Sequence, residues 1–235
     1  MKTQILLLHG ALGSATEFQD ISNSLSDDFD VKCLNFPGHQ GEAFVDGTWT
    51  VEVMCNFLNN FIHQNFHRDS GLIVFGHSMG GYLALCSLLQ ENPTIDAAIT
   101  LGTKMHWDPD IAAREISMLD PMKMQSKVPA FVENLKQVHG ADHWQKLVFQ
   151  IGGFLHELGQ TSPISAENVR GISKPCRIML GDRDRMVSMD ETLDIFKAIP
   201  NATLSILPNT PHPLIQAETA RICFEIREVA SQLAN

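Results

Sequence analysis

The sequence predicts an α/β fold in three layers: a mainly parallel sheet of about six strands between helices, with a helical cap inserted after the fourth strand. Three observations carry this. Short apolar runs at 4–8, 31–36, 72–75, 95–102, 176–182 and 202–208 alternate with helix-like patterns, which implies βαβ units and therefore a parallel sheet covered on both faces. That alternation stops over about 103–165, where three helix-like segments (110–119, 129–138, 142–158) follow one another without a strand; such a length is too great for a plain connection. Finally, 235 residues with 44% hydrophobic side chains can bury the core of one large domain.

In order, QILLL at 4–8 is a strand apolar on both faces, ended by His9-Gly10. Ser14 and Glu17 have capping-box spacing, opening a helix with Phe18, Ile21 and Leu25 on one face. The second strand, VKCLNF, stops at Pro37-Gly38. Thr50 caps the next helix, Trp49 is placed to staple onto Met54, and Met54, Leu58 and Phe61 share a face. The third strand turns at 76–80 into a helix running through Leu83, Leu85 and Leu88 to about Asn92-Pro93, and IDAAITLG is the fourth. Beyond the cap come the strand CRIMLGD, a helix with a Ser188–Glu191 capping box, the strand ATLSILP, and a closing helix with Ile222, Ile226, Val229 and Leu233 inward.

Composition removes several classes of function. A formal net charge of −10 offers no basic face for nucleic acid. No apolar run reaches membrane-spanning length, and the run of four near the N-terminus is too short for a signal-peptide core. The five cysteines are scattered, odd in number and without CxxC spacing, as expected of reduced core residues in a cytoplasmic protein.

The chemistry is concentrated in LIVFGHSMGGY, residues 72–82. A strand that reverses into a helix within about five residues forces its central residue, here Ser78, into a positive-φ conformation that lifts the side chain clear of the sheet. Gly76 and Gly80 stand where strand and helix backbones crowd. This G-x-S-x-G elbow resembles that of the α/β-hydrolase family. Together with HGALGS, GDRD and the histidine of NTPHP, in that family's order, the resemblance covers nearly the whole chain. The antiparallel opening hairpin usual in the family is absent, so a sheet of about six strands is expected.

The resemblance implies a catalytic triad of Ser78 as nucleophile, His212 as general base and Asp184 as the orienting acid. His212 sits between Pro211 and Pro213, which stiffen its loop. The rival acid is Asp108, after the preceding strand, and Asp182 is expected to bond backbone or Arg185. The implied oxyanion hole comes from the backbone N–H groups of Met79 and Ala11, with Leu12 one position beyond as the alternative, and His9 braces that loop. His77 points away from Ser78 as its neighbour on a turn and is a poor base.

For the substrate wall the expected residues are Leu12, His77, Tyr82, Trp107 and Trp144, under a cap rich in methionine and aromatic side chains. One branch of the family, a synthase of menaquinone biosynthesis, carries an arginine on the elbow helix where this chain has Tyr82, which disfavours that branch's anionic substrate. The expected activity is therefore hydrolysis of a small or medium carboxylic ester, or a thioester, with an apolar acyl or alcohol part. Carbon–carbon bond hydrolysis or a lyase reaction on the same triad is the alternative, and a ligand-binding receptor-like protein that retains the triad is the alternative of another class. No cofactor is implied, and His139, His143 and His156 match no metal-ligand spacing.

Overall fold

A computed structural model describes residues 2–234. Six strands form one parallel sheet: β1 (Gln4–Leu8), β2 (Asp30–Leu34), β3 (Leu72–His77), β4 (Ala97–Leu101), β5 (Cys176–Gly181) and β6 (Ala202–Leu207). They lie in the order β2-β1-β3-β4-β5-β6, each neighbouring pair parallel. The chain first winds outward from β1 to β2, then crosses back over β1 to β3. The gap between β1 and β3 is therefore the switch point, where loops at the strands' carboxyl ends diverge and leave a crevice.

Alternation along the central strands divides the core between two faces. Leu6, Leu8 and Val74 face α2 (Val51–Asn65) and α3 (Met79–Leu89). Ile5, Leu7, Ile73 and Phe75 face α1 (Gln19–Leu25) and α9 (Thr219–Leu233). Thr50 caps α2 by accepting from Val53 N–H at 3.2 Å, and Trp49 and Met54 are both fully buried in the same core, as a hydrophobic staple requires. The Ser188–Glu191 capping box opens α8 (Met189–Ala198).

Two expectations change. Ser14 does not cap a helix: a 3-10 turn, Ala15–Phe18, precedes α1, and the Ser14 hydroxyl bonds that of Thr16 at 2.7 Å. The Glu17 carboxyl instead lies over Gly13, where burial pushes its pKa up to about 7. The strandless segment holds four helices where three were expected: α4 (Pro109–Ile116), α5 (Pro121–Lys127), α6 (Pro129–His139) and α7 (Trp144–Gln160). The extra one, α5, begins with Asp120, which accepts from Met122 and Lys123 N–H, followed by Pro121 at its first position. Leu147, Ile151, Phe154 and Leu158 of α7 enter the core that α2 and α3 form with the sheet, which docks this helix against α2. All five cysteines are free. Among the described residues no helix is long and apolar enough to cross a membrane.

Candidate active site

Ser78 follows β3 directly and opens α3 with φ 51° and ψ −116°. A non-glycine residue there carries strain of about 1–3 kcal/mol, sustained only by firm surroundings. The surroundings are backbone contacts. Ser78 N–H donates to Leu101 of β4 at 2.9 Å, and the Ser78 carbonyl accepts from the Thr103 hydroxyl at 3.1 Å. A Cβ at Gly76 would stand 2.3 Å from the carbonyl carbon of Gly80, and one at Gly80 2.4 Å from the Leu8 carbonyl oxygen, so only glycine lets α3 start this close to β1 and β3.

Two more loops converge from β5 and β6. The His212 ring and the Asp184 carboxylate meet at 2.8 Å, Nδ1 to Oδ2, and Asp184 is almost wholly enclosed. The other Asp184 oxygen accepts from Met186 and Val187 N–H at 2.8 and 3.0 Å. Burial pushes the Asp184 pKa up, but the His212 hydrogen bond and charge and the two N–H donors outweigh it, and the carboxyl stays below the ordinary aspartate value. The loops are tied at Thr210, whose N–H donates to Asp182 Oδ1 at 3.2 Å and whose carbonyl accepts from Arg183 N–H at 3.1 Å. Asp182 thus bonds backbone as expected, while its ionic neighbour is Arg183 instead of Arg185. Gly102, at φ +58°, leaves room for the pair, since a Cβ there would lie 3.0 Å from Asp184 Oδ2. Asp108 caps α4, accepting from Ile111 N–H at 2.7 Å.

The loop after β1 carries Ala11 to the same place, its turn closed by Gly13 N–H to the Gly10 carbonyl at 3.0 Å. Met79 begins α3, so its N–H has no intrahelical acceptor and lies at the positive end of the helix dipole. His9 is fully buried; Nδ1–H donates to the Gly10 carbonyl at 2.8 Å and Nε2 accepts from Phe36 N–H at 3.1 Å. Burial lowers its pKa to about 4, so the ring is a neutral brace between the β1 and β2 loops.

Ser78, His212, Ala11 and Met79 all line one cavity of about 90 Å³. Of the five residues expected at the substrate wall, Tyr82 and Trp107 line it; Leu12, His77 and Trp144 do not. Leu12 turns back at φ 60°, and its carbonyl accepts from His139 of α6. His77 is buried against the His212 loop. Trp144 packs with Met124, Val132, Leu135 and Val148 in a separate small core. The cap reaches the cavity through Trp107 and Phe154 but not through its methionines, of which Met118 and Met122 face outward, exposed at 55% and 84%. Phe154, Leu155 and Leu158 of α7 with Met186 and Val187 supply the apolar surface instead. Lys104 and Glu115, which sequence reasoning passed over, also reach the cavity.

The family model for the α/β-hydrolase fold matches residues 3–167. The chain belongs to the α/β-hydrolase family. Among curated relatives, an uncharacterized hydrolase, YugF of Bacillus subtilis, is 23% identical over 94% of this chain and 87% of its own. Solved α/β-hydrolases with the same fold include a thermophilic esterase from Thermogutta terrifontis (TM-score 0.77, 19% identity, 100% of this chain and 92% of that one). MenH from S. aureus is another (TM-score 0.78, 18% identity, 99% and 95%). In this α/β-hydrolase the matched region contains Ala11, Ser78 and Met79; Asp184 and His212 lie beyond it and are placed by the loop geometry above.

Proposed function

We propose that this α/β-hydrolase is a serine hydrolase that cleaves a small carboxylic ester, or thioester, through an acyl-enzyme. The observation that carries the reading is the 2.8 Å Asp184–His212 pair facing the same small apolar cavity as the strained Ser78. Ser78 Oγ attacks the ester carbonyl while its proton passes to His212 Nε2. Asp184 accepts from Nδ1–H, fixes the tautomer and stabilises the imidazolium. The negative charge on the former carbonyl oxygen is met by the N–H groups of Met79 and Ala11, each worth about 3 kcal/mol in the transition state. Collapse breaks the bond to the leaving oxygen or sulfur, which takes the proton from His212. Water then adds to the acyl group with His212 as base, and the acid leaves as Ser78 regains its proton.

The cavity beside Ser78, about 90 Å³ and lined mostly by apolar side chains, favours short substrates. The test is hydrolysis of aryl acetate, butyrate and octanoate by the purified wild type and Ser78→Ala. The wild type should favour the shorter esters, and Ser78→Ala should lose at least about 10³-fold in kcat. Undiminished hydrolysis by Ser78→Ala would refute the assignment.

A further inference from the structure

The cavity beside Ser78 has one polar corner. Lys104, from the loop after β4, stands with its ammonium 3.7 Å from Glu115 Oε1 of α4 and 3.8 Å from Glu191 Oε1 of α8; the three side chains are 14%, 10% and 6% exposed. Glu191 is fully engaged: one oxygen accepts from Ser188 N–H at 2.7 Å, the other from Met105 and His106 N–H at 3.2 Å each. Lys104 and Glu115 are different. Among the described residues neither the ammonium nor the Glu115 carboxylate makes a hydrogen bond, because 3.7 Å is beyond hydrogen-bond reach. Both line the cavity that holds Ser78 and His212. Their hydrogen-bonding capacity is thus left to water or to a ligand that enters the cavity.

The gap has a definite chemistry. An oxygen about 2.8 Å from both Lys104 Nζ and Glu115 Oε1 makes a triangle on the 3.7 Å base, a normal distance for each hydrogen bond. Lys104 can only donate and an ionised carboxylate can only accept, so the atom between them must do both, as a hydroxyl does. A substrate carboxylate cannot, and it would also meet two carboxylates against one ammonium. We infer that Lys104 and Glu115 form a specificity subsite for a neutral hydroxyl on the substrate, remote from the scissile carbonyl: the preferred substrates are hydroxylated short esters. This rests on the serine hydrolase reading and narrows its substrate class.

The experiment compares kcat/KM for methyl butanoate with methyl 3-hydroxybutanoate, methyl hexanoate with methyl 6-hydroxyhexanoate, and includes monomethyl succinate as the anionic control. Acid release is followed by pH-stat in the wild type, Lys104→Met and Glu115→Gln. In the wild type at least one hydroxy ester should exceed its unsubstituted parent by about tenfold, and monomethyl succinate should fall below methyl butanoate. Lys104→Met should bring the hydroxyl-to-parent ratio close to one, and Glu115→Gln, which loses the charge but keeps an accepting oxygen, should lower it several-fold; the comparison is made within a single protein and so is insensitive to partial loss of folded enzyme. Thermal melts show that a variant is folded, and Glu115→Gln, the milder change, serves if Lys104→Met is not. Parent esters hydrolysed with ratios near one in the wild type, or ratios that survive both substitutions, would overturn the subsite alone. If no ester of the panel is hydrolysed, the hydrolase reading fails and the subsite with it.

Discussion

His77 and His212 are joined side chain to main chain: the Nε2–H of His77 donates to the His212 carbonyl at 2.8 Å, with ring centroids 5.1 Å apart. His77 is buried, and that burial lowers its pKa to about 3, so it stays neutral and keeps this proton. It therefore fixes the backbone of the loop from which the His212 ring reaches Asp184. His77→Ala should lower kcat by about tenfold with little change in KM, as expected when one hydrogen bond that positions the proposed base His212 is lost. Gln, which can donate at similar reach, should recover part of the loss. Equal effects of Ala and Gln would argue against a positioning role.

The cap is tied to the loop after β1 through a second histidine. His139 Nε2–H donates to the Leu12 carbonyl at 2.9 Å, while Nδ1 accepts from Gln40 N–H at 3.1 Å. Leu12 is held at φ 60°, next to Ala11. Replacing His139 by Leu strands two backbone groups, at about 1–3 kcal/mol each when buried, and frees the turn that presents Ala11. Steady-state kinetics should show a larger fall in kcat than rise in KM, together with a lowered melting temperature. A change in KM alone would place His139 outside this linkage.

Acid should weaken the fold well before carboxylates are titrated. Burial lowers His9 to about 4 and His77 to about 3 from the ordinary 6.5. Below pH 6.5 the unfolded chain binds protons that the native chain refuses, so stability is full above 6.5 and falls as pH drops toward 4. Each of these two histidines costs about 1.4 kcal/mol per pH unit in that window. Burial lowers His39 and His139 in the same direction. Glu17, raised to about 7 by burial, acts oppositely: its contribution is lost as pH rises from 4.5 to 7, offsetting one histidine. Urea midpoints measured at pH 7, 6 and 5 should fall steadily. A flat series would contradict the buried neutral histidines.

The elbow predicts its own sensitivity. A methyl at Gly80 would stand 2.4 Å from the Leu8 carbonyl oxygen and 2.7 Å from Leu8 Cβ, both in a central strand with no room to retreat. Gly80→Ala should cost about 3 kcal/mol by overpacking, a fall of roughly 6–12 °C in melting temperature for a domain of this size. Calorimetry checks it; an unchanged melting temperature would mean that α3 does not start against β1 as described.

These linkages also separate what was legible in the sequence from what was not. The sheet, its order of elements and the Ser78 elbow were legible because each is written in local signals: apolar runs, glycines at fixed spacing, and residues just past a strand end. Asp184 and His212 follow β5 and β6 directly, so topology alone brings them together. The cavity wall was not legible. Whether Trp144 or Phe154 faces Ser78 depends on how α7 rotates against α4 and α2, which no local pattern fixes. Lys104 and Glu115 meet across two elements with no common motif. The missed helix α5 did have a signal, Asp120 followed by Pro121, but a seven-residue helix leaves little periodicity to notice.

The most direct measurement is covalent labelling by a fluorophosphonate, which phosphonylates only a serine activated by its neighbours. Intact-mass analysis of the wild type should show one adduct, mapped by peptide sequencing to Ser78 and greatly slowed in His212→Ala. No adduct on folded wild-type protein, or an adduct on another residue, would contradict Ser78 as the nucleophile.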